Sequence, residues 1–161
     1  MNQLNKWGAL FGAMLLSSSV FAGGIQVDGA WSRATAPGQD AAMVDMTITS
    51  DKEAKLIGFS SSSCKSAELH SMTHENGMMK MREVKSVALP AGKRVNLGEQ
   101  GYHLMLIGLQ APLKEGDRLP LTLNIKSGSE ATVNVEVVAE VKPLTKAAPK
   151  QSEQMHHMHH P

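Results

Sequence analysis

Cysteine, aromatic rings and an excess of charge of one sign are all scarce in this chain, and each scarcity removes a class of function. Cys64 is the single cysteine, so no disulfide can close within one molecule. Its setting, between Ser60 to Ser63 and Lys65, reads as that of a small, partly buried residue at a strand edge. Phe, Trp and Tyr make up 4% of the residues, and 16 Lys and Arg stand against 15 Asp and Glu. A neutral chain with so few rings argues against nucleic acid, which asks for a basic face and stacking platforms. No Ser/His/Asp arrangement, phosphate loop or paired acid and base appears, so the chain is not expected to be an enzyme.

Residues 1–22 differ from the rest. They carry one charged side chain, Lys6, then an apolar run from Trp7 to Leu16, then Ser17 to Ala22. This is the layout of a secretory signal peptide cleaved after Ala22. The run is shorter than the about 20 residues of an ordinary membrane span, so no span is expected once the leader is gone. No cysteine lies near the cleavage site, and no lipid anchor is expected there. Removing the leader takes away Lys6 and no acid, which leaves 15 basic against 15 acidic groups.

Within residues 23–141, apolar side chains recur with a period of two. Ile25 to Arg33 alternates, and Ala42 to Ser50 sets Val44, Met46 and Ile48 on one face against Asp45, Thr47 and Thr49 on the other. Met46 is therefore a core side chain, whereas Met43 falls on the polar side. Ala54 to Ser60, residues 66–72 and 78–85, Arg94 to Leu97, Tyr102 to Leu109, Leu119 to Ile125 and Ala131 to Val141 complete the pattern. They make roughly eight or nine short strands bounded by turn residues. No segment outside the leader carries a 3.6-residue stripe. The class is all-β, a single-domain Greek-key sandwich or small barrel.

Chemistry-bearing side chains concentrate between His70 and Met105. His70 shares a strand face with Met72, Met79 with Met81, and His103 with Met105. Asn76-Gly77 is a strong hairpin signal; if these are the two central turn residues, Met72 lies opposite Met81 and His70 lies diagonally from it. His103 and Met105 alternate with Leu104 and Leu106, which leaves the donors on the face away from the core. Thioether sulfur favours Cu(I) over Zn(II) or Mg(II), and neutral imidazole accepts copper in either oxidation state. The two histidines, His70 and His103, and the methionines of this stretch are thus candidate donors for a soft-metal site, with Cu(I) the expected ion. Met72, His74, Met78 and Met79 are spare donors around the same turn.

On these residues the chain resembles the PCuAC family of periplasmic copper chaperones. The family motif is His, ten residues, Met, twenty-one residues, then His-x-Met, and His70, Met81, His103 and Met105 match all four positions. The surrounding AWSRAT, ELH, MKMR, LPAG and GYHLMLIGL stretches are also similar to the family's. The resemblance implies a cupredoxin-like β-sandwich in the periplasm that binds one Cu(I) through those four side chains. It further implies delivery to the copper-site subunit of cytochrome c oxidase, beside a thiol-bearing assembly factor, by a protein expected to be a monomer.

From residue 142 the composition turns polar and the tail is expected to be disordered. Its end, Met155, His156, His157, Met158, His159 and His160, is compositionally a metal binder. Members of the resembled family with such tails imply a second site for Cu(II). Three rival readings use the same residues differently: a periplasmic copper buffer or resistance protein, a blue-copper electron carrier built on Cys64, and a non-metal β-sandwich interaction module.

Overall fold

The structure is a computed structural model and describes residues 19–98, 101–129 and 131–144. The leader through residue 18 and the tail donors Met155 to His160 lie outside the described residues. The strands in chain order are β1 (Val20–Ala22), β2 (Ile25–Arg33), β3 (Ala41–Ser50), β4 (Ala54–Ser60), β5 (Cys64–Glu75) and β6 (Met78–Glu83). They continue with β7 (Val87–Leu89), β8 (Arg94–Leu97), β9 (Tyr102–Leu109), β10 (Arg118–Lys126) and β11 (Thr132–Lys142). No helix occurs among the described residues.

These strands form one open sheet in the order β6-β5-β9-β3-β2-β11-β10-β4-β7, with β1 attached to β2 and β8 to β3. The named strands pair antiparallel throughout, apart from the parallel contact of β2 with β11. Period-two alternation aims one face of the sheet inward, and Val44, Leu56, Leu104, Leu106, Leu123 and Val135 meet in a single core. Met46 is in that core at 2% exposure, as its alternation with two aliphatics predicts. The terminal strands β6 and β7 do not pair with each other. The all-β sandwich expected from the pattern is therefore present as a rolled, open sheet and not a closed barrel.

Three local features differ from the sequence reading. Val87–Leu89 pairs with β4 and buries Val87 and Leu89, a strand too short to display a period. Val20–Ala22 pairs with β2, so cleavage after Ala22 would remove β1. The strand expected over 66–72 runs from Cys64 to Glu75, because Asn76 and Gly77 alone make the turn with φ of 52° and 77°. Met72 accordingly faces Met81, the pairing that a two-residue turn requires.

Candidate metal centre

Register brings the expected ligands together around His70. In the β5–β9 ladder His70 lies directly opposite His103, and Glu68 lies opposite Met105. In the β5–β6 ladder Met72 lies opposite Met81 and His70 opposite Glu83. His70 therefore has His103 beside it, Met105 on one diagonal and Met81 on the other, all on one face. Directly opposed residues hold their Cβ atoms about 4.5–5.5 Å apart, close enough for two imidazoles to reach one ion. Leu69, Leu104 and Leu106 point the other way and are buried, which confirms that the donors sit on the face away from the core.

The two histidines share an unusual feature. Nδ1 of His70 and Nδ1 of His103 are both buried, and neither has a hydrogen-bond partner within the protein. Buried polar atoms are seldom left so, because each unmet one carries a desolvation cost. His70 is held by its other nitrogen, Nε2, which lies 2.8 Å from Oε2 of Glu68. With the proton on Nε2, the imidazole donates to this carboxylate and its Nδ1 lone pair is left for an ion. The same bond is the largest influence on the Glu68 carboxyl and lowers its pKa from the ordinary value; partial desolvation opposes it, and the Ser66 hydroxyl adds a smaller lowering. Glu68 is the partner of His70 that motif spacing alone does not identify, although the ELH sequence places it two residues, hence one face, from His70.

Among the described residues, no three His, Cys, Asp or Glu side chains converge on a point where a metal ion could sit. Methionine sulfur is the other donor type on this face. All six residues of β6 are exposed, with Met78 and Met79 at 60% and Met81 at 47%. Side chains so open to water gain little from burial, so the methionines of this edge strand are not there to fill a core.

Met81 stands apart from the other three in one respect. Pairing of β5 with β9 ends at Ser71 and Tyr102, and the last tie is the Met72 N–H donating to the Gly101 carbonyl at 2.6 Å. Beyond it β5 and β6 overhang as a two-stranded ribbon. On a flat ladder the backbones of Met81 and Met105 would be roughly 16 Å apart, too far for two thioethers to share an ion. A four-donor set therefore needs the ribbon to curl over His70, and two-stranded ribbons twist more strongly than wide sheets.

Cys64 opens β5 itself, two residues before the strand expected over 66–72. It belongs to the core, with its thiol 3.8 Å from the Ser61 carbonyl and its pKa raised chiefly by burial. Five residues lie between it and His70, and the strand rise from one to the other is about 20 Å. A His₂Cys blue-copper set does not form.

Residues 25–137 match the family described as "Putative lipoprotein LpqE-like". The "Putative lipoprotein Lxx21020" of Leifsonia xyli subsp. xyli is 39% identical over 117 residues, 72% of this chain and 70% of that protein. No cysteine precedes Cys64 in the present chain. Among solved structures, apo-DR1885 from Deinococcus radiodurans is 31% identical with a TM-score of 0.55, covering 89% of this chain and 95% of that one. CuI-DR1885 is likewise 31% identical, with a TM-score of 0.54 over 81% and 83% of the two chains. The copper-bound PCuAC domain from PmoF2 shares the fold at 22% identity, with a TM-score of 0.62 over 79% of this chain and 99% of that domain.

Proposed function

The chain belongs to the LpqE-like family, and from that footing we propose that it is a copper chaperone that carries Cu(I) outside the cytoplasm, in the periplasm. His70, Met81, His103 and Met105 are its ligands, and the cargo passes to the copper centres of cytochrome c oxidase beside a thiol-bearing partner. The His/Met run from Met155 to His160 serves as a second site, for Cu(II). The observation that carries the reading is the pair of buried, unpartnered Nδ1 atoms on cross-strand neighbours His70 and His103, set on a face rich in thioethers. The Cu(I) form of a 31% identical relative with the same fold supports the choice of metal. The oxidase as recipient rests on the motif resemblance.

The chemistry suits a carrier. Thioethers are neutral and need no proton to leave, so an ion held partly by sulfur transfers by ligand exchange alone. Imidazoles bind a metal only in the deprotonated form, so affinity is expected to fall in acid, while the sulfur contribution persists.

Competition for Cu(I) against a chromogenic chelator, at less than one equivalent of metal, tests the site. Met81→Leu and His103→Ala are expected to lose the competition at chelator concentrations where the parent chain holds its ion. Unchanged competition in both would contradict the assignment. Mixing the Cu(I)-loaded chain with an apo oxidase copper domain then separates a chaperone, which gives up its ion, from a buffer, which keeps it.

A further inference from the structure

The overhanging ribbon carries a second block of soft donors. Met72 and Met81 form one cross-strand pair, and His74 and Met79 form the next, on the same face. These four make a two-by-two array, directly opposed across the strands and two residues apart along them. It is more compact than the His70-centred set, in which Met81 and Met105 lie on opposite diagonals. Nδ1 of His74 is already 3.2 Å from Sδ of Met79.

The reverse face of the ribbon is chemically distinct. Ser71, Thr73, Glu75, Lys80 and Arg82 alternate with the donors, and Glu75 pairs with Arg82 at 2.8 Å and with Lys80 at 3.4 Å. Charges thus pair with one another behind the strand, and on the donor face the carboxylates, Glu68 and Glu83, lie at the His70 end, away from His74 and Met79. His74 and Met79 are both exposed, so neither is needed for packing and both can move apart to admit an ion.

We propose that Met72, His74, Met79 and Met81 form an outer site for a soft monovalent cation of the Cu(I) class, sharing Met81 with the inner site. The inference rests on the proposed function in one respect, the role of Met81 as an inner ligand. An ion arriving at the exposed tip binds the outer block first. It then exchanges Met72, His74 and Met79 for His70, His103 and Met105 while Met81 stays attached, and departure reverses the order. Every donor is neutral and the metal keeps its oxidation state, so no electron or proton need be supplied.

Residue-resolved NMR of the full chain, labelled at the methionine methyls and histidine rings, tests the outer site against anaerobically added Cu(I). In the parent chain the inner histidines move with the first equivalent bound to the domain, and the Met72 and Met79 methyls and the His74 ring move with the second. In His70→Ala/His103→Ala the outer signals move first. In His74→Ala/Met79→Leu the second response is lost and the first remains. The buried Met46 methyl, unmoved throughout, reports that each variant is folded. If the inner signals respond while Met72, His74 and Met79 stay still at excess Cu(I), the outer site is overturned and the proposed function stands. If neither set responds and only tail signals move, the proposed function falls, and the outer site with it.

Discussion

Two antiparallel hairpins of this protein obey the same period and do opposite things. In β10–β11, Leu119, Leu121, Leu123 and Ile125 lie on the face shared by Val135, Val137, Ala139 and Val141, and all eight are buried. In β5–β6, the equivalent apolar positions of the ribbon are methionines and histidines, and β6 is exposed from end to end. One hairpin is covered by the rest of the sheet; the other is the sheet's edge. Alternation therefore tells which residues share a face, whereas side-chain identity tells what the face is for. Aliphatic carbon has only packing to offer, while exposed thioether and imidazole retain a lone pair for a metal.

The contrast can be broken most forcefully from the packed side. Leu123→Ala leaves a cavity in the core and is expected to lower stability by about 2–5 kcal/mol in urea denaturation. Cu(I) affinity of the folded fraction should be unchanged. A comparable loss of stability from Met81→Ala would erase the distinction between the hairpins.

On the exposed side the pattern reverses. His103→Ala is expected to weaken Cu(I) binding by more than the about 10- to 100-fold typical of losing a supporting residue. Its unfolding free energy should stay within about 1 kcal/mol of the parent, since the residue is only half-buried and its Nδ1 has no protein partner to lose.

A smaller effect is expected at Glu68, which touches the ion only through His70. Glu68→Gln should weaken Cu(I) binding by about 10- to 100-fold, because the amide no longer fixes the imidazole with a charged acceptor. The acid range supplies a second readout. The folded-state pKa of Glu68 is lowered from an ordinary 4.5, so the carboxylate stabilises the fold fully above that value. Its contribution fades as pH falls from there through the lowered folded-state value. Parent and Glu68→Gln stabilities should therefore converge below pH 4.5 and differ at neutral pH; a constant difference across that range would exclude the Glu68–His70 bond as its source.

The least change is expected behind the ribbon. Arg82, 58% exposed, pairs with Glu75, and Arg82→Ala should cost less than about 1 kcal/mol and leave Cu(I) binding intact.

Much of this arrangement is legible from residue order. Alternation marks the strands, Asn76-Gly77 sets the ribbon's register, and Leu104 and Leu106 reveal which way His103 and Met105 point. What is not legible depends on contacts between distant segments. No local signal says that β9 docks on β5 with His103 opposite His70, since many registers keep the same inward face. Glu68 looks like any solvated carboxylate until that face is assembled. Val20–Ala22 and Val87–Leu89 are strands only because a longer neighbour supplies their partners. Nor can spacing foresee that Met81 sits level with the last tie to β9, on the strand outside β5, where the donor set must be completed by curvature.

The central claim is that cross-strand histidines and the methionines diagonal to them hold one monovalent copper ion. A crystal of the chain loaded with one equivalent of Cu(I), measured at the copper absorption edge, tests it most directly. The account predicts the dominant anomalous peak against Nδ1 of His70 and of His103, with sulfur from Met105 and Met81 closing over it. A peak elsewhere, with both Nδ1 atoms still unpartnered, would contradict it.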